Sequence, residues 1–135
     1  MRIASFLLLC SLAAALPAAE RTVVFLGDSL TAGYGLGVDE AFPALIAERI
    51  AAAGLDWRVV NAGESGDTSK GALARLPWLL RSEPDLVVVA LGGNDGLRGL
   101  PLARSEQNLA AIIERLRAAG AAVVLCGMLL PRNYG

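Results

Sequence analysis

Three short polar blocks hold the residues of this chain that could do chemistry. They are Gly27-Asp28-Ser29, then Ser65-Gly66-Asp67-Thr68-Ser69, then Gly92-Gly93-Asn94-Asp95. Together they offer a hydroxyl (Ser29), a glycine backbone N–H (Gly66) and a carboxamide (Asn94). A serine hydroxyl becomes a nucleophile once a base takes its proton. N–H donors aimed at one point stabilise the charge that develops on a carbonyl oxygen, and losing one donor typically costs about 3 kcal/mol of barrier. This is the equipment of acyl transfer. Each residue also has a plainer reading. Ser29 could cap a helix, Gly66 could serve only a turn, and Asn94 among glycines is ordinary turn chemistry. Asp28, Asp67 and Asp95 read as caps and loop braces, not as catalytic acids.

The case for chemistry rests on what precedes the blocks. Val23, Val24, Phe25 and Leu26 form an unbroken apolar run of strand character, suited to a central strand buried on both faces. Residues 57–60 read as a second strand closed by Asn61-Ala62-Gly63, residues 86–91 as a third and residues 122–128 as a fourth. Helical spacing separates them. Phe42, Leu45, Ile46 and Ile50 make the first helix, with Pro43 near its start and Gly54 at its end. Leu73, Leu76 and Leu80 mark the second, capped by Thr68 or Ser69, with a kink or restart expected at Pro77. Leu109, Ile112, Ile113 and Leu116 fall at i, i+3, i+4 and i+7, and Gly120 is placed to end that helix. Alternating strands and helices imply right-handed crossovers and a parallel sheet covered on both faces. In such a sheet all strands point one way, so the three blocks reach the same edge, where open α/β sheets bind ligands.

The chain has 135 residues, 55% of them hydrophobic, which suffices for one domain with a real core. With a formal net charge of −1 and no basic block, nothing points to a nucleic-acid partner. Residues 1–19 read as a secretory signal: Arg2, an apolar stretch over residues 3–16 too short to span a bilayer comfortably, then small residues at Pro17-Ala18-Ala19. The expected domain is therefore residues 20–135, exported to the periplasm or secreted, with no stable membrane span after cleavage. Cys10 leaves with the signal, and Cys126 reads as a small buried hydrophobe of the fourth strand. Trp57 and Trp78 read as packing residues. Tyr34, Leu97 and Tyr134 lie in loops near the active edge, where they could line an acyl pocket.

Taken together, Gly27-Asp28-Ser29-Leu30 with Ala32-Gly33-Tyr34, Ser65-Gly66-Asp67-Thr68-Ser69 and Gly92-Gly93-Asn94-Asp95 closely resemble the first three sequence blocks of the SGNH (GDSL) hydrolases. The nearest likeness is to the bacterial thioesterase I, lysophospholipase and arylesterase branch, to which Ala74-Arg75-Leu76-Pro77, Gly96-Leu97-Arg98-Gly99 and Leu130-Pro131-Arg132-Asn133-Tyr134-Gly135 are also similar. The resemblance runs from about Thr22 to the last residue. It implies a flavodoxin-like three-layer α/β/α fold and hydrolysis of small acyl esters or thioesters through an acyl-enzyme, with no metal or organic cofactor. It implies Ser29 as nucleophile, and an oxyanion hole made of the Ser29 and Gly66 backbone N–H groups and the Asn94 side chain.

The family's general base is a histidine in a late Asp-x-x-His block, and this sequence contains no histidine. A serine without a base is a poor nucleophile. The expectation is a sheet incomplete at its carboxyl end and a chain nearly inactive as written, an amino-terminal portion of a longer enzyme. The competing reading is a non-catalytic acyl- or glycan-binding module that kept the cleft and lost the base. A phosphoacceptor receiver fits poorly, since Asp28 stands alone and the third strand ends in Gly-Gly. A flavin site fits poorly too, because the first loop lacks a Ser/Thr-rich phosphate cradle.

Overall fold

Four strands form one parallel sheet in the order β2-β1-β3-β4. They are β1 (Arg21–Gly27), β2 (Trp57–Gly63), β3 (Leu86–Ala90) and β4 (Ala122–Leu125). The computed structural model describes residues 19–129. The expected signal, all but Ala19, lies outside the described residues, as do Leu130 to Gly135. Between the strands come α1 (Ser29–Ala32) and α2 (Phe42–Ala52), then α3 (Ser69–Leu79) with a 3₁₀ turn (Leu80–Ser82), then α4 (Gly93–Leu97) and α5 (Leu102–Ala118).

The apolar run of β1 is buried on both faces, as its lack of alternation requires. Register explains the two layers. Val24 pairs with Val60 and Val87, and Leu26 with Ala62 and Val89. These side chains share one face and form a single core with Leu76 of α3 and Ile112 and Leu116 of α5. Each fully buried Leu or Ile contributes about 1.5–3 kcal/mol. On the opposite face Phe25 meets Phe42 of α2 edge-on, with ring centroids 5.4 Å apart.

Thr68 is the cap of α3, its hydroxyl accepting from the Gly71 N–H. Ser69, the other candidate, is committed elsewhere. Pro77 does not restart the helix, which runs unbroken to Leu79. It lies within the last three helical residues, so its missing N–H removes one bond where the ladder is already ending. The second strand runs past Asn61 to Gly63, and the Asn61 side chain accepts from the Gly63 N–H. The fourth strand stops at Leu125, short of the expected Met128. Cys126 is exposed, not buried. It follows an edge strand whose Val124 and Leu125 are themselves half exposed. Trp78 is also exposed. Trp57 is half-buried beneath the Arg21 guanidinium, 5.5 Å from the ring centre.

Candidate active site

β1, β2 and β3 each end in one of the polar blocks, and close packing of glycines fixes how near they come. A Cβ on Gly27 would strike the Thr31 hydroxyl, and one on Gly63 would strike the backbone N of Ala32. Only glycine at these two positions lets α1 fold directly over the ends of β1 and β2. Asp28 is the cap of α1: its Oδ1 accepts from the Leu30 N–H at 3.0 Å. Ser29 is then the first residue of α1 and half-buried. The first N–H groups of a helix have no intrahelical acceptor, so the helix leaves the Ser29 N–H without a carbonyl partner of its own.

Gly66 adopts φ +80°, a left-handed conformation that glycine enters without strain. The Arg98 guanidinium donates to its carbonyl at 2.7 Å. Asn94 lies in the first turn of α4 and joins the other two blocks. Its Nδ2 donates to the Asp67 carbonyl at 2.8 Å and approaches Asp28 Oδ2 at 3.4 Å. One carboxamide thus sits between the residue before Ser29 and the residue after Gly66. The Asp28 contact is long, so the second Nδ2–H is weakly held.

The next residue anchors this arrangement. Asp95 is 2% exposed and accepts from the Ser69 N–H at 2.8 Å, the Ser69 hydroxyl at 2.5 Å and the Ser105 hydroxyl at 2.8 Å. Asn108 donates to Ser69 Oγ at 3.0 Å, closing a network across α3, α4 and α5. Burial alone would push the Asp95 carboxyl up. The Ser69 and Ser105 hydrogen bonds outweigh it and hold the group below the usual carboxylate range. Asp95, like Asp28 and Asp67, is a brace, as expected. Sequence reasoning missed Ser105, Asn108, Arg75 and Arg98. A signal existed for two of them. Ser105 continues the buried row of Leu109, Ile112 and Leu116, and Arg75 adjoins the buried row of Ala72, Leu76 and Leu79.

An apolar groove of about 820 Å³ lies between α5 and the end of β4, lined by Leu91, Leu109, Ile113, Leu125 and Met128 among others. It reaches Gly92 and Asp95 but not Ser29, Gly66 or Asn94. Tyr34 and Leu97, expected in an acyl pocket, are exposed and do not line it. Tyr134 lies outside the described residues. Among the described residues no cluster of side chains could hold a metal ion, and no helix is long and apolar enough to cross a membrane.

The sequence model of the GDSL-like lipase/acylhydrolase family matches residues 25–135. The chain is 54% identical over 119 residues to the esterase TesA of Pseudomonas aeruginosa, an alignment taking in 87% of this chain and 59% of that protein. It is 43% identical over 136 residues to an arylesterase of Vibrio mimicus, covering 100% of this chain and 68% of the relative. The crystal structure of a TesA superposes with a TM-score of 0.82 at 52% identity, covering 85% of this chain and 64% of the other. The chain thus spans about three fifths of the length of its Pseudomonas relative.

Proposed function

The chain belongs to the GDSL-like lipase/acylhydrolase family, and from that premise we propose that its protein is a serine hydrolase of small acyl esters or thioesters. Ser29 is the nucleophile in this reading. Its Oγ attacks the acyl carbonyl carbon while a general base takes the hydroxyl proton. The carbonyl π pair moves onto oxygen, and the resulting anion receives hydrogen bonds from the Ser29 N–H, the Gly66 N–H and the second Nδ2–H of Asn94. Collapse expels the alcohol or thiol, which regains the proton, and leaves an acyl-serine. Water then attacks the acyl-serine by the same route and releases the acid.

The observation that carries the reading is the Asn94 carboxamide held between Asp28 and Asp67, which puts a donor beside both other candidate residues. The 135 residues hold no histidine, so this reading requires a general base that they do not supply. The nucleophile and anion-binding groups fall in residues 20–135, behind a signal that directs export to the periplasm or the medium. The absent histidine also favours a second reading, an acyl- or glycan-binding module without turnover. Reading the gene to its stop codon separates the two. The reaction itself is tested with para-nitrophenyl ester turnover by the protein translated to that stop. The expected result is activity abolished in Ser29→Ala. An unchanged rate in that variant excludes the mechanism.

A further inference from the structure

Arg75 is a charged residue on the largely apolar inner side of α3, with its side chain only 23% exposed. A helix of this kind would normally place it in water, so its partners explain its position. Nη2 donates to the Gly27 carbonyl at 3.2 Å and to the Ala62 carbonyl at 2.8 Å, the last turns of β1 and β2. Nε donates to Asp67 Oδ2 at 2.8 Å. Asp67 in turn takes the Thr68 N–H on Oδ1 at 2.9 Å and the Asn94 Nδ2 on its main-chain carbonyl at 2.8 Å. Gly71 faces the same carboxylate so closely that a Cβ there would collide with Asp67 Oδ1.

The geometry points to Arg75 as a positioning residue for the anion hole, acting through Asp67. One planar guanidinium spans the strand end two residues before Ser29 and the loop residue next to Gly66. That loop residue also holds Asn94. The fork therefore sets the distance between nucleophile and donors, a task a point charge on a flexible stem cannot do. A donor displaced by about 1 Å weakens transition-state binding far more than substrate binding. The inference rests on the hydrolase reading above, which Ser29→Ala tests separately.

The experiment measures kcat and KM for para-nitrophenyl butyrate in the full-length protein, with thermal unfolding monitored for each variant. Arg75→Lys keeps the charge and loses the fork; Asp67→Asn keeps the side-chain shape and loses the ion pair. Gly71→Ala retains both residues and drives a methyl against the Asp67 carboxylate, forcing it to shift. Each should lower kcat about ten- to a hundredfold with KM within about twofold. The Arg75→Lys, Asp67→Asn double variant should be no slower than the worse single one, since both break the same link. The side-chain amide resonances of Asn94 should move in Asp67→Asn, a readout that needs no turnover. Should Arg75→Lys fail to fold, Gly71→Ala and Asp67→Asn decide the question. A folded variant with unchanged kcat, losses that multiply, or Asn94 resonances that stay put would overturn the inference.

Discussion

Replacing Asp95 by alanine should destabilise the domain more than any other change at a polar residue of this site. Among the described residues the carboxylate is the acceptor for three donors: the Ser69 N–H, the Ser69 hydroxyl and the Ser105 hydroxyl. Ser69 is fully buried and Ser105 nearly so, so water cannot readily replace the lost oxygens. The Ser105 hydroxyl can turn to a helix carbonyl one turn back. The two Ser69 donors are left without an acceptor. At about 1–3 kcal/mol for each buried unsatisfied donor, the expected loss is about 2–6 kcal/mol. Urea unfolding at pH 7 reads it directly as a midpoint lower by about 2 M for a slope near 2 kcal/mol per M. Asp95→Asn keeps one acceptor oxygen and should lose about half as much. The pH dependence follows from the depressed folded-state pKa. The stabilisation is complete above the unfolded value of about 4 and fades as pH falls through the lower folded value. The gap between wild type and Asp95→Asn should therefore hold from pH 7 to about pH 5 and narrow below about pH 4. A midpoint shift worth less than about 1 kcal/mol, or a gap independent of pH down to pH 3, would refute this account of the network.

Two further outcomes follow from the packing around α1. Thr31 is fully buried and its hydroxyl has no hydrogen-bond partner among the described residues; Thr31→Val removes that orphaned group at nearly constant volume and should raise stability by about 1 kcal/mol in the same urea assay. Gly63→Ala drives a methyl into the backbone of α1 at Ala32, and backbone cannot rotate aside, so thermal unfolding should show a loss of about 1–3 kcal/mol.

Much of this molecule is legible from residue order. The β1 run of Val23 to Leu26 declares a doubly buried strand because no polar residue interrupts it. The row of Leu109, Ile112 and Leu116 declares a helix face, and Gly120 ends it with a φ of +92°. The three polar blocks meet at one edge because parallel strands leave them no alternative. What could not be read is which side of each element has a neighbour. Cys126 and Trp78 look like core by type, yet one follows an edge strand and the other is mostly exposed to solvent. The roles of Ser105 and Arg75 depend on partners far away in the chain, Asp95 for one and Gly27, Ala62 and Asp67 for the other. Spacing within a helix shows that such a residue is on the wrong face for its chemistry, but not what answers it. The apolar groove against β4 was likewise invisible, because strand order, not sequence order, decides where it opens.

The central claim is that Ser29 attacks while Gly66 and Asn94 hold the anion. The most direct test is the rate at which a fluorophosphonate labels the full-length protein, with the adduct located by peptide mass. Its phosphorus becomes a stable mimic of the tetrahedral state, and fluoride leaves as the serine oxygen bonds. The account predicts one adduct, on Ser29, absent in Ser29→Ala and formed about a hundredfold more slowly in Asn94→Ala. An adduct on another residue, or an Asn94→Ala rate equal to that of the wild type, would contradict it.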